Sequence, residues 1–215
     1  MKIISIKKNI DVMKRYFITK RVMDIVGSLI GLVLFSPIFL VVALLIKMED
    51  PKGPIIFAHK RVGKNGELIP VYKFRSMYQN AGEMIKSFTP EQKKEYAETY
   101  KLKDDPRITK IGKFIRKTSL DEIPQFLNVL KGEMSIVGPR PVVEAELEKY
   151  GDKVDLYLMV TPGLTGMWQV HGRSDTSYEE RVALDTYYVE NRSILLDIKI
   201  ILATFVSVIK GKGSY

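Results

Sequence analysis

Asp121 and Glu122 are adjacent carboxylates set among cations in the stretch KFIRKTSLDEIPQFLNVLKGEMSIVGPRP, residues 113–141. Arg116 and Lys117 precede them, and Arg140 follows between two prolines. Acids at a helix start can do no more than complement the helix dipole. Set among cations, the same pair suits work on an anion, phosphate above all. Further cations favour that second reading. Lys73 and Arg75 alternate with Tyr72 and Phe74, a pattern that fits either a half-solvated strand face or phosphate binding. The Pro139-Arg140-Pro141 triplet stiffens the backbone around Arg140, which favours bidentate recognition of a phosphate. Arg173 adds a cation in the turn His171-Gly172-Arg173.

The elements that hold these residues follow from local signals. Ser119 with Glu122 three positions on fits a capping box, and Ile123, Phe126, Leu127 and Leu130 repeat at helical spacing up to Gly132. This predicts a short helix with Asp121 and Glu122 in its first turn, where Pro124 is also tolerated. A helix is predicted over 110–117, and strands over 55–58 and 70–74 with a turn at 63–66. The polar stretch 80–105 holds an exposed helix at 91–100 and is assigned no chemistry. Helices are expected over 142–150, 177–191 and 194–209, the last strongly apolar after Asp197 and Lys199. A rigid loop, 161–166, precedes Trp168.

Composition narrows the chemistry. The chain has 215 residues, 34 Lys and Arg against 25 Asp and Glu, and a net charge of +9, which favours an anionic partner. Cysteine is absent and His59 and His171 lie far apart, so disulfides and Cys- or His-rich metal sites are excluded. Any metal is a hard cation on carboxylates.

Residues 1–21 are basic, with Asp11 as the only acid, and fit either an amphipathic segment on an anionic membrane or a frayed terminus. From Ile25 to Ile46 no residue is charged, which is long enough to span a bilayer. Ser36-Pro37 interrupts the middle, where proline removes a helical hydrogen bond and a kink is expected. The run can cross the membrane as a kinked helix or dip in and return. Lys20 and Arg21 before it, and Lys47, Lys52, Lys60 and Arg61 after it, leave no charge asymmetry, so the re-entrant form is favoured, with both ends cytoplasmic. A buried core helix is the least apt reading for a run apolar on all sides.

Six ordered motifs then carry a resemblance: LFSP (34–37), YKFRSM (72–77), DPRIT (105–109), TSLDEIPQ (118–125), LKGEMSIVGPRP (130–141) and TPGLTGMWQVHGR (161–173). Together they resemble the bacterial sugar transferases, the monotopic polyprenyl-phosphate phosphoglycosyl transferases. The closing segment, SYEERVALDTYYV into LLDIKI, is most similar to the galactose and glucose phosphotransferase branch. The resemblance covers about residues 15–215 and fits either a small member or the catalytic domain of a larger one. It implies transfer of a sugar 1-phosphate from a UDP-sugar to polyprenyl (undecaprenyl) phosphate, with UMP released, as the first step of glycan assembly. It also implies that Asp121 and Glu122 are catalytic, with Asp121 the nucleophile and Mg²⁺ held at the pair. Lys73, Arg116 and Arg140 match positions that line the phosphate site, and Ser36-Pro37 matches the break of a re-entrant helix. His171 stands where many relatives carry Ser or Asn, and no role is assigned to it.

The expected fold is therefore α+β and mostly helical, with short strands, interfacial amphipathic helices and a re-entrant anchor. Residues 1–48 form the basic segment and membrane helix, and 49–215 a catalytic domain facing the cytoplasm at the bacterial inner membrane. The expected partners are a UDP-sugar, polyprenyl phosphate and membrane lipids, with no nucleic acid; association into a homo-oligomer is left open. A non-catalytic membrane-anchored adaptor is the competing reading, but it gives no reason for clustering Asp121, Glu122, Arg116 and Arg140.

Overall fold

The structure is a computed structural model that describes residues 2–99, 102–171 and 176–209. Helix α1 (Lys2–Glu49) leads to strands β1 (Ile56–Val62) and β2 (Leu68–Phe74). Helices α2 (Ala81–Met84), α3 (Pro90–Thr99), α4 (Lys110–Lys117) and α5 (Gln125–Lys131) follow. Then come β3 (Ser135–Val137), α6 (Val154–Leu158), β4 (Gly163–Thr165), α7 (Met167–His171), α8 (Tyr178–Asn191) and α9 (Ile194–Ile209). The architecture is mostly helical α+β, as expected, with two two-stranded sheets, β1-β2 and β3-β4. Strands β3 and β4 run parallel, Ser135 opposite Gly163 and Val137 opposite Thr165.

The described residues divide into two compact units, one of 2–34, 58–72, 125–171 and 176–209, the other of 35–57, 73–99 and 102–124. The boundary expected at 48/49 concerns membrane against water and is a different question from compactness.

In the first unit, Val137, Val160, Tyr188, Val189 and Ile200 form one apolar cluster, and Val62, Val142, Tyr150 and Tyr157 another. The basic start of α1 is built into this unit. Arg21 donates from Nη1 to Val129 O (2.6 Å) and from Nη2 to Leu130 O (2.7 Å). It thereby bonds carbonyls at the end of α5, of which Val129 O also accepts from Gly132 N at 3.0 Å. Gly132, at φ +86°, ends that helix as expected, because the left-handed conformation is open to glycine without a Cβ clash. Asp24 Oδ1 accepts from Ser135 Oγ and Ile136 N, both at 2.9 Å, and so caps β3. Asn128, fully buried, acts as a strand neighbour for β2: its Oδ1 accepts from Tyr72 N (3.0 Å) and its Nδ2 donates to Pro70 O (2.6 Å). Asp185 accepts from Tyr150 Oη at 2.8 Å, and burial pushes its carboxyl up to about 7.

In the second unit, two carboxylates arrange the backbone. Glu49 accepts from Lys110 N (2.7 Å) and Ile111 N (2.9 Å), and Thr109 Oγ1 accepts from Gly112 N (2.9 Å), so the start of α4 is capped twice. Any Cβ at Gly112 would run into Ser76 O, which fixes glycine there by close approach. Asp105 takes a two-point bond from Arg107, whose guanidinium also lies over the rings of Phe88 and Tyr96.

Several expectations need correction. Ser119 is not a helix cap: it sits at φ +56°, and its side chain accepts no capping bond. Asp121 and Glu122 lie on a one-turn 3-10 segment, Leu120–Glu122, and α5 starts only after Pro124. The stretch expected as a helix over 142–150 is a 3-10 segment, Glu144–Lys153, interrupted at Gly151 with φ +51°. Strand β1 runs four residues past Ala58, to Val62. In α1, Pro37 lies inside a continuous helical stretch. Along this helix Ile25, Val26, Leu29, Ile30, Val33, Leu34, Leu40, Val41 and Leu44 are exposed. That exposure argues against a buried core helix and is compatible with membrane association. Helix α9 likewise exposes Leu195, Ile198, Leu202, Phe205 and Val206.

Candidate active site

Asp121, Glu122, Lys73, Arg75 and Arg116 all belong to the second unit. The 3-10 turn that carries the two carboxylates packs directly after α4, which carries Arg116 in its last turn. Lys73 comes from β2, one residue before its end.

Asp121 is buried, and Glu122 is partly exposed. Lys73 Nζ bridges them, 2.6 Å from Glu122 Oε1 and 3.7 Å from Asp121 Oδ2. Burial raises the Asp121 carboxyl above its ordinary range. Lys73 opposes that rise, neighbouring Glu122 adds to it, and Arg116 again opposes it. Asp121 is thus a carboxylate kept short of solvent, with cations as its main source of ionic stabilisation. Among the described residues Arg116 is held through its Nε, which donates to Ser76 Oγ at 2.8 Å. Arg116 also feels Asp121 and Asp105. A guanidinium anchored by Nε leaves its Nη edge available for a planar, two-point bond to an oxyanion.

Not every expected cation stands with this group. Arg75 is buried and committed to Asp50, Nη1 to Oδ2 at 2.5 Å and Nη2 to the Asp50 carbonyl at 2.6 Å. In the structure it ties the end of α1 to the end of β2. Arg140 belongs to the first unit, where its side chain is exposed over the Trp168 ring at 6.0 Å, and its carbonyl accepts from Tyr157 Oη. Arg173 lies outside the described residues. Reading the sequence also missed two residues. Ser76, which orients Arg116, carries no signal beyond its place in YKFRSM. Asp50, the partner of Arg75, sits in a turn that composition marks only as a turn.

Among the described residues no group of three or more His, Cys, Asp or Glu converges as a metal cage. Two neighbouring carboxylates still fit Mg²⁺, which keeps several waters and commonly binds through one or two carboxylates plus substrate phosphates. The position between the two carboxylates is where Lys73 Nζ now lies, so a divalent cation would have to compete with that ammonium.

The family model for the bacterial sugar transferases matches residues 15–211. The chain belongs to the bacterial sugar transferase family. The undecaprenyl-phosphate galactose phosphotransferase of Salmonella typhimurium is 50% identical over 199 residues, 91% of this chain and 41% of that protein. The exopolysaccharide production protein ExoY of Sinorhizobium fredii is 47% identical over 201 residues, 92% of this chain and 88% of that protein. The UDP-glucose:undecaprenyl-phosphate glucose-1-phosphate transferase of Escherichia coli is 40% identical over 204 residues, 91% of this chain and 41% of that protein. This bacterial sugar transferase chain therefore spans less than half the length of two of these relatives and most of the third.

Proposed function

We propose that the chain transfers a sugar 1-phosphate from a UDP-sugar to polyprenyl phosphate, giving a polyprenyl-diphosphate sugar and UMP. The observation that carries this is a buried carboxylate, Asp121, flanked by Glu122, Lys73 and a half-anchored Arg116, in a family whose relatives are named for this class of transfer. In the first step an Asp121 oxygen attacks the phosphorus next to the sugar. The bond from that phosphorus to the bridging oxygen breaks, and UMP leaves with the electron pair. In the second step a phosphate oxygen of the lipid attacks the same phosphorus and releases Asp121. Carboxylates serve as covalent nucleophiles in phosphoryl chemistry. Attack on a phosphorus between anionic oxygens is opposed by charge, and Lys73 and Arg116 offset that charge before and during the step. Mg²⁺ held by Asp121 and Glu122 would neutralise further negative charge on the phosphates. Glu122 either helps to hold that cation or takes a proton from the incoming lipid phosphate. Arg140 and Arg173 are proposed as further phosphate contacts, and Arg75 as a support for the end of β2 rather than a ligand.

The test is UMP release by the full chain in detergent. Sustained turnover should require both Mg²⁺ and polyprenyl phosphate, and a panel of UDP-sugars identifies the donor. UMP release at the same rate without any lipid phosphate would mean hydrolysis rather than transfer, and no UMP from any UDP-sugar would leave the adaptor reading.

A reaction between a soluble donor and a lipid acceptor must take place at the membrane surface. We place α1 as a re-entrant anchor at the cytoplasmic membrane, with residues 49–215 on the cytoplasmic side. The support is the exposed apolar run, Pro37 at its middle and basic residues on both flanks. Ile18 and Lys52 are both exposed and the chain has no cysteine of its own. Ile18→Cys and Lys52→Cys should both resist an impermeant thiol reagent in intact cells; labelling of one but not the other means that the helix spans. Pro37→Ala, which restores a backbone donor, should shift the population toward spanning.

A further inference from the structure

A second basic site lies wholly within the first unit. It is a cavity of about 210 Å³ walled by Phe17, Lys20, Arg21, Lys64, Tyr188 and Arg192, with Asp24 at its edge. Four cations line it, and their partners are uneven. Lys20 is matched by the buried carboxylate of Asp197 at 3.0 Å. The other three interact with neutral groups: Arg21 with the carbonyls that end α5, Arg192 with Val189 O, and Lys64 with the face of Phe17 at 5.6 Å. Arg192 stands near the same ring at 5.8 Å, and its Nε is buried without a hydrogen-bond partner. Asp24, the carboxylate on the cavity wall, is bonded to Ser135 and Ile136. The cavity therefore carries an excess of positive charge and a donor that lacks an acceptor.

Its position gives the ligand a second requirement. On α1 the cavity residues end at Asp24, and the uncharged run begins at Ile25. On the other wall Arg192 is followed by α9, whose exposed apolar side chains begin at Leu195. The uncharged run of α1 and the exposed apolar side chains of α9 begin where the cavity stops, while Ile18 and Val22 are already exposed beside it on α1. This is the depth at which a lipid places its phosphate when the acyl chains lie along the apolar side chains.

We infer that this cavity binds the phosphodiester headgroup of an anionic glycerophospholipid. The phosphate oxygens accept from Arg192 and Lys64, and the acyl chains lie along the exposed side chains of α1 between Ile25 and Leu34 and of α9. The inference rests on membrane association and is independent of the phosphoryl-transfer chemistry.

The experiment uses the full chain in a neutral detergent, with bound lipid counted by native mass spectrometry during titration with phosphatidylglycerol or phosphatidylcholine. One phosphatidylglycerol should be retained, roughly tenfold or more in preference to phosphatidylcholine, since each basic residue near a lipid phosphate contributes severalfold. Lys64→Gln and Arg192→Gln, made separately, should each weaken that binding by about fivefold. Lys64 lies on the turn between β1 and β2, so its variant tests the site without removing a buried ion pair. Equal retention of the two lipids, or binding unchanged in both variants, overturns the inference. Two competitors identify the source of the phosphate. If inorganic phosphate displaces the lipid at millimolar concentration, the pocket reads free phosphate. If polyprenyl phosphate displaces it more tightly than phosphatidylglycerol binds, the pocket belongs to the acceptor. Either displacement overturns the phospholipid assignment, and the UMP assay reports on turnover separately.

Discussion

Asp121→Asn should fold as the parent does and lose at least about a thousandfold in turnover, as removal of a covalent nucleophile does elsewhere. The two halves of this expectation have different causes. Folding is spared because burial already disfavours the Asp121 carboxylate, and Lys73, its ion-pair partner, is 3.7 Å away and bonded more closely to Glu122. A neutral amide of the same shape removes a desolvation cost, so the thermal midpoint should stay level or rise. Turnover is lost because an amide neither attacks phosphorus nor holds a cation. The sharper measurement uses a UDP-sugar labelled in the sugar, without lipid. The parent chain should retain label and release a burst of UMP no larger than the enzyme present, and polyprenyl phosphate should then move the label into lipid. Absence of labelled protein, together with rates that require a ternary complex, would reduce Asp121 to a metal ligand.

Lys20→Met should cost roughly 3–5 kcal/mol of stability, the usual consequence of leaving a buried charge unpaired. Asp197 is fully buried, and Lys20 is its ion-pair partner at 3.0 Å. Two hydroxyls would remain, Tyr188 Oη at 2.8 Å and Tyr16 Oη at 3.3 Å. They stabilise a carboxylate but do not neutralise it. Methionine keeps most of the lysine volume, so the loss reports on the ammonium, which also donates to Val137 O at 2.9 Å. Adding Asp197→Asn to Lys20→Met should recover a large part of it, because the amide needs no counter-charge. Chemical denaturation in detergent measures both. A loss below about 1 kcal/mol for the single variant would place this pair with weak surface ion pairs.

The parts legible in the sequence are those fixed by near neighbours. Helix α4 occupies the predicted 110–117, and α8 starts right after Ser177 within the predicted 177–191, with Ser177 and Glu180 bonded reciprocally in a capping box. Ser119 carries the same signature and fails, for a reason visible afterwards. Pro124 has no N–H to give to Leu120 O, so an α-helix from Ser119 would lack a bond in its second turn and is disfavoured. The chain closes a 3-10 turn instead, with Ile123 N on Leu120 O at 3.2 Å, and restarts at Gln125. Residue identity thus marked Asp121 and Glu122 correctly, while their local geometry depended on a donor missing farther along. Lys73 and Arg75 looked like one phosphate-facing pair because they alternate. Strand β2 ends at Phe74, so Arg75 leaves that face and meets Asp50, a partner that no local pattern announces. Asp24 and Asp197 read in sequence as the limits of apolar runs, whereas both are internal acceptors, each with a partner more than a hundred residues away.

Lys20 and Asp197 are 177 residues apart in the chain, and that separation is also an interval of time. At the usual pace of synthesis, about 5–20 residues per second, roughly 10–35 s pass between their emergence from the ribosome. Throughout that interval α1 is made, but the carboxylate that matches Lys20 does not yet exist, and neither does Tyr188, which shares it. A nascent chain halted before α9 would hold its apolar run with the basic end unneutralised and the parallel strands without their closing helix. The first and last long helices complete each other, so the first unit is locked only once α9 has been made.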